Sequence, residues 1–519
     1  MDRLYINGQI ITPVGVRDAM IIRDNRFLFV GDYEDAIAQF IGYETIDLHR
    51  QVVIPGFNDS HLHLFGTAFT MERLSLHQAS SITHLQQLIR EYIQSNAFNG
   101  MYVGARGFNQ DFFVEGRFPT KNELDQISTQ IPIIATRVCG HIAVLNTKAL
   151  ELSHIDSSTL VDGGEIDFES GLLTEKALNL IFTNSQAITK DEVKRLLING
   201  MNVANSYGIT TLQTDDLMHA FPDDFEKMIE VYDELDKEGL LTCRIRVQSQ
   251  LPDIKKLCSY ITKGYANKYY SDKLKMGPLK ILTDGTLGAR TAAMSMPYAD
   301  DPSTKGLLTY SDEELYELVK TAHIAKMSVA MHAIGDRAMI QVLDAYERVL
   351  SEYPRVDHRH TIIHCQITTK AILERMKRLD VYAAVQPIFI DYDMSVVYDR
   401  VGKLADTSYA FYTMQQMGIN VAIGTDAPVE SMNPFDNLRA ATTRQSKKGK
   451  VYLEKEKMPI DVALDCYTYA SAKQTRDEHY LGLIQEQYLA DFVVLNITDI
   501  RDISLGSVDY VVFDGVRLS

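Results

Sequence analysis

The sequence predicts an α/β protein: a (β/α)8 TIM barrel with a β-sandwich domain formed from both chain ends and an inserted α/β subdomain. Three observations carry that prediction. Eight short apolar stretches recur through the middle of the chain, most of them separated by amphipathic helical patterns. Strand-like segments with tight turns occupy both ends. The 519 residues are too many for one small core but suit a large barrel with appended modules.

Residues 1–55 read as a small β module. Leu4-Tyr5-Ile6 runs into Asn7-Gly8, a hairpin signal, and Ile10-Ile11-Thr12 follows. Further strands are expected at 19–22, 26–31 and 52–54, and Pro55-Gly56 closes the module. The far end resembles it, with strands expected at 490–495 and 508–513. Two separate extensions would leave unpaired sheet edges. Residues 1–55 and 481–519 are therefore expected to share one sandwich, with 56–480 inserted as the barrel.

The barrel strands are expected at 56–64, 209–214, 242–248, 278–283, 328–334, 361–366, 381–387 and 420–425. Helical patterns at 312–325, 338–351, 369–379 and 408–417 separate the later ones, which implies parallel pairing. About 140 residues lie between the first and second strands, far more than a loop. Residues 67–190, approximately, are read as an inserted α/β subdomain. It has a helix near 85–95, strands at 101–104 and 131–136 and a turn at Gly163-Gly164.

Composition excludes several classes. The net charge of −17 argues against nucleic acid or an anionic membrane as partner. No apolar run is long enough to span a bilayer. The N-terminus carries Asp2 and no apolar leader, so the cytoplasm is the expected compartment. Five cysteines, widely spaced and without C-x-x-C, read as reduced thiols. A homodimer is an expectation for an enzyme of this type, although no surface stripe marks an interface.

Chemistry collects at the strand ends. His61-Leu62-His63 ends the first strand, and alternation puts both imidazoles on one face. Lys280 lies in the fourth strand, His332 ends the fifth, His364 ends the sixth and Asp426 follows the eighth. A barrel gathers such ends into one cluster, its usual active-site position. A single histidine on an apolar face is ordinarily a packed residue, but this placement recurs across five strands. Lys280 has two readings. As a neutral amine near a metal it can add carbon dioxide and become a bridging carbamate; as an ammonium it is a structural or substrate-contacting cation.

At this point the sequence resembles the amidohydrolase superfamily, and within it family 3, the branch that includes N-substituted formamide deformylase. The stretches that carry the resemblance are G-F-N-D-S-H-L-H at 56–63, G-F-N-Q at 107–110, C-G-H-I-A-V-L-N at 139–146 and G-G-E-I at 163–166. They continue with P-L-K-I-L-T-D-G-T-L-G-A-R-T-A at 278–292, M-H-A-I-G-D-R-A at 331–338, V-Q-P at 385–387, G-T-D-A-P-V at 424–429 and L-A-D-F-V-V-L at 489–495. The resemblance implies a metal-dependent hydrolase with His61, His63, His332 and His364 as ligands and Asp426 as ligand and general base. Lys280 matches a position that relatives can carboxylate. Ile363 is a departure, because many relatives have Glu before the strand-six histidine.

The expected chemistry is hydrolysis of a C–N bond in an amide, formamide or cyclic amide, by water activated on one or two divalent ions, zinc foremost. The substrate is a small molecule, with His141, Gln110 and Arg290 as candidate contacts; an ordinary ion pair is the plainer reading of Arg290. Asp336-Arg337 reads as a helix N-cap and its neighbour. The competing readings are a deaminase of the same superfamily and a non-catalytic metal or small-molecule binding protein on this scaffold.

Overall fold

The computed structural model describes residues 3–518 apart from 41, 72, 96–101, 138–141, 162–163, 182–187, 222–223, 395 and 448. The eight barrel strands are β1 (Phe57–Leu62), β2 (Ile209–Thr214), β3 (Arg244–Gln250), β4 (Leu274–Leu282), β5 (Val329–Ala333), β6 (Thr361–His364), β7 (Tyr382–Val385) and β8 (Val421–Ile423). They form one sheet in sequence order, and every neighbouring pair is parallel. Helices lie between successive strands from β2 onward, among them Asp312–Ile324, Asp336–Glu352 and Lys370–Arg378. Because helices cover such a sheet, its strands are buried along their length rather than on alternate residues. β1, β5, β6 and β8 are buried at every position.

β8 returns to β1. The Asp426 N–H donates to the His61 carbonyl at 2.9 Å. Gly424 permits this approach, since a Cβ there would lie 2.6 Å from the His61 nitrogen. Inside the barrel, Ala330, Ile363 and Ala384 pack together. Ile363, the departure from its relatives, is thus a buried apolar residue.

Two further sheets flank the barrel in the chain. One has the order Arg26–Gly31, Ala19–Arg23, Arg3–Ile6, Glu44–Asp47. The other has the order Val516–Arg517, Val508–Phe513, Phe492–Leu495, Val52–Pro55, Gln9–Thr12, Gly15–Arg17. Phe492–Leu495 runs antiparallel to Val52–Pro55, so the two chain ends share a ladder. Tyr5, Phe27, Val53, Phe492 and Val512 form one buried cluster, with Tyr5 and Phe492 edge to face at 5.4 Å. The expected Asn7-Gly8 hairpin is absent. Arg3–Ile6 and Gln9–Thr12 belong to different sheets, and the left-handed Asn7 (φ 55°) carries the chain between them. Two-residue hairpins lie instead at Pro13-Val14, Asp24-Asn25 and Asp514-Gly515, where Thr12 pairs with Gly15, Arg23 with Arg26 and Phe513 with Val516.

The chain divides into two compact units, Met1–Gly66 with Lys190–Ser519, and Thr67–Thr189. The second has its own six-stranded sheet and a core that includes Leu85, Ile89, Val103, Phe108 and Ile133. Its first helix is Ile82–Gln94 and two of its strands are Val103–Phe108 and Ile133–Arg137. Met101 and Gly163 lie outside the described residues.

Candidate metal centre

The strand ends deliver the predicted side chains to one place. His61 is in β1 and His63 just beyond it; Lys280 is in β4, His332 in β5, His364 ends β6 and Asp426 follows β8. Several chains turn sharply here. His364 (φ 77°), Cys365 (φ 49°) and Asp426 (φ 57°) are left-handed, a conformation non-glycine residues hold at a cost. Asp59 fixes the Asp426 turn. Its carboxylate accepts the Thr425 hydroxyl at 2.6 Å, the Thr425 N–H at 3.0 Å and the His61 N–H at 3.2 Å. Burial pushes the Asp59 carboxyl up to about 7 against those hydrogen bonds.

Three donors converge. Nε2 of His61 is 3.4 Å and Nε2 of His63 3.1 Å from Asp426 Oδ1, and one ligating atom from each residue lies within 4.8 Å of the others. Lys280 Nζ is 3.2 Å from both His61 Nε2 and Asp215 Oδ2. The His364 ring lies 5.9 Å from His61 and 4.4 Å from His332. His332 Nε2 instead faces the loop after β4, at 3.2 Å from both Asp284 Oδ1 and the Gly285 carbonyl.

Residues that sequence reasoning passed over hold these groups. Asp215, directly after β2, accepts from His63 Nδ1 at 2.5 Å and pairs with Lys280. Gln248 in β3 contacts His61 Nδ1 at 2.7 Å, and Gln386 after β7 contacts His364 Nδ1 at 2.8 Å. Gln386 thus holds His364 beside the apolar Ile363. Asp284 accepts the N–H groups of Ala293, Ile334 and Gly335. His219 stands edge-on to His63 at 5.6 Å, and His63, Asp215 and His219 form a second convergent group. One signal was available: Thr214-Asp215-Asp216 puts an acid after an apolar strand, as at Asp426.

The electrostatics leave His61 and His364 as neutral donors and hold on His63 a proton that a cation would displace. Burial, then the charge of Lys280, holds His61 well below the usual histidine range. Burial, His332 and Lys280 do the same for His364. Both are therefore neutral nitrogen donors at pH 7. Burial opposes a charge on His63, but Asp215 and Asp426 raise it to about 10. Burial also opposes ionisation of Asp215 and Asp426. Lys280 and His63 hold Asp215 well below the carboxylate range, while the His63 hydrogen bond and the charges of His63 and Lys280 lower Asp426. Two imidazoles and a carboxylate with oriented outer partners match the donor chemistry of zinc and similar ions.

Two of the remaining candidates have partners of their own. Gln110, in the Thr67–Thr189 unit, accepts from Arg137 Nε at 2.8 Å and donates to Asp111. Arg290 meets Asp300 through two nitrogens at 3.1 and 3.0 Å. His141 lies outside the described residues. The N-cap of helix Asp336–Glu352 is Gly335, not Asp336; the Asp336 carboxylate instead accepts the Ser295 N–H at 2.8 Å. Cys365 is buried, as a packing residue would be.

Comparison with known proteins gives one direction. Residues 44–518 match the amidohydrolase family. The chain is 32% identical over 514 residues to YtcJ of Bacillus subtilis (strain 168), covering 96% of this chain and 94% of that one. It is 24% identical over 530 residues to N-substituted formamide deformylase of Arthrobacter pascens, covering 95% and 93%. Among solved structures, an uncharacterized metal-dependent hydrolase from Pyrococcus horikoshii OT3 superimposes with a TM-score of 0.82 at 28% identity, over 100% of both chains.

Proposed function

We propose, from the premise that this chain belongs to the amidohydrolase family, that this metal-dependent hydrolase cleaves a non-peptide C–N bond in an amide, formamide or cyclic amide. The observation that carries the reading is the convergence of His61 Nε2, His63 Nε2 and Asp426 Oδ1 at the C-terminal end of a parallel barrel. The substrate class draws on the formamide deformylase relative, whose name describes that bond.

His61, His63 and Asp426 would hold a divalent ion, zinc foremost. When bound, such an ion supplies Lewis acidity to water and to a carbonyl oxygen. Asp426 accepts the proton of the attacking water and passes it to the leaving nitrogen. Its lowered pKa keeps it ionised and ready as a base. Asp215 and Gln248 hold the imidazoles in register while this happens.

Lys280 belongs to the same proposal. Its amine can add to carbon dioxide with loss of a proton, forming an N–C bond and a carbamate. Beside Asp215, that carbamate sets two buried anions together. Its formation is therefore coupled to a second cation, with His332 and His364 as further donors. Intact mass measured with and without bicarbonate and zinc tests the coupling: the added mass is expected only with both.

The central test joins metal analysis to a substrate panel. Purified protein is expected to carry at least one divalent ion and to hydrolyse members of a panel of N-formyl, N-acyl and cyclic amides. Asp426→Asn is expected to keep the fold and lose about 100- to 10,000-fold in kcat. Metal-free protein that is active, or an Asp426→Asn variant with full turnover, overturns the reading.

A further inference from the structure

We propose that Gln248 and Gln386 are positioning residues whose side-chain amides fix the tautomers of His61 and His364, so that each keeps an unprotonated Nε2 for the cation. The inference rests on the metal-centre reading above.

A neutral imidazole has one N–H and one lone pair. A ligand must offer the lone pair, so its other nitrogen carries the proton and needs an acceptor. For His61 that acceptor is Gln248 Oε1, 2.7 Å from Nδ1. The amide is itself keyed. Gln248 Nε2 donates to the Ser60 carbonyl at 3.0 Å, so a flipped amide would set oxygen against oxygen at Ser60 and N–H against the Nδ1 proton. The opposite side of the ring agrees. Lys280 Nζ, 3.2 Å from His61 Nε2, can only donate, which requires a lone pair there. These two contacts specify one tautomer, against the Asp426 carboxylate oxygen that lies 3.4 Å from the same Nε2 and that a cation placed there would separate from the lone pair.

Gln386 reaches His364 with only half of its amide. Its Oε1 is 2.8 Å from His364 Nδ1. Its Nε2 is buried and, among the described residues, has no hydrogen-bond partner. The contrast with His63, held by the Asp215 carboxylate, has a physical reason. Asp59, Asp215, Asp284 and Asp426 already crowd buried acid groups around the site. An amide accepts the imidazole proton without adding another buried charge.

The half-used amide makes the two glutamines experimentally distinct. Gln386→Glu keeps the acceptor and sacrifices no donated hydrogen bond, so its added buried charge lowers the melting temperature of the metal-free protein while the affinity for the cation is retained. Gln248→Glu places an oxygen against the Ser60 carbonyl. The probe is zinc binding to the demetallated full-length chain, read by chelator competition, with the melting temperature of the metal-free protein as the fold control. Gln248→Leu, Gln386→Leu and Gln248→Glu are expected to weaken zinc by about 10- to 100-fold, while Gln386→Glu stays within about threefold of wild type. Gln248→Met and Gln386→Met replace either leucine variant that melts early. His61→Ala is the reference for loss of the site. If His61→Ala loses zinc while the leucine or methionine variants bind it like wild type, the positioning role is overturned and the metal centre stands. If wild type binds no zinc, both fall together.

Discussion

At the scale of single residues, the ligands are legible because histidine is scarce, 14 in 519 residues, and because each predicted one sits where a strand ends. Asp215 escapes notice because Asp and Glu number 69 and its role depends on partners 152 and 65 positions away in the chain. It is the counter-charge for Lys280, which is 1% exposed, and the acceptor for His63. Asp215→Asn therefore has two separable effects. Loss of the His63 partner should weaken metal binding about 10- to 100-fold. Leaving Lys280 buried without its anion should cost roughly 3–5 kcal/mol in the metal-free protein. Lys280→Met in the same chain should restore melting temperature without restoring affinity. Thermal melts and metal titrations of the single and double variants check this; a single variant that melts and binds like wild type removes Asp215 from the account.

At the scale of elements, the apolar runs that became β2 and β6 are readable because parallel strands are buried on both faces. What local pattern does not contain is which partner a strand finds. Asn7-Gly8 has hairpin chemistry, yet Arg3–Ile6 pairs with Ala19–Arg23 and Glu44–Asp47. The elements also carry a buried histidine network away from the metal centre. His360 Nδ1 accepts the Val329 N–H at 3.0 Å, so its Nε2 carries the proton that bonds His323 Nδ1 at 2.9 Å. His323 Nε2 then donates to the Tyr353 carbonyl, and His358 takes the His360 N–H on Nδ1 and donates to Leu379. Each ring is specified as neutral, because an added proton would face an existing donor. Burial lowers all three pKa values, most strongly at His360, and Arg355 lowers them further at His360 and His323. The unfolded chain takes up these protons as pH falls through about 6.5, whereas the native network does not. Stability is thus complete above that pH and declines below it, by up to about 1.4 kcal/mol per pH unit for His360 alone. Urea midpoints at pH 7.5 and 5.5 should show the decline, and His360→Gln should flatten it. Equal slopes for the two proteins would sink the claim.

At the scale of the whole molecule, the chain ends matter beyond their own sheets, because buried ion pairs tie them and their neighbours to the barrel. Arg244 of β3 reaches Asp491 at 2.7 Å and Asp514 at 3.0 Å, beside the strands of the C-terminal segment. Two residues on, Arg246 meets Asp477 at 2.5 Å, and Lys275 of β4 pairs with the same carboxylate. Alternation along β3 explains why both arginines face one way while Ile245 and Val247 pack on the other side. No spacing in the sequence reveals these pairs, since the partners lie 202 to 270 positions apart. Burial opposes ionisation of Asp477, yet Arg246 and Lys275 together hold its carboxyl down at about 2. The native pKa is therefore depressed relative to the unfolded value of about 3.9. The linked stability is present above that range and is lost as pH falls from about 4 through about 2, on the order of 2 kcal/mol in total. Asp477→Asn removes this acid limb and leaves the buried Arg246 and the half-buried Lys275 without their anion at every pH, a cost of roughly 3 kcal/mol at neutrality. Its stability should be lower than wild type at pH 7 and should converge toward it near pH 2, as measured by denaturant unfolding across that range. A variant that runs parallel to wild type at all pH values would show that the Arg246–Asp477–Lys275 cluster does not link acid stability to the packing of the barrel's last segment on its strands.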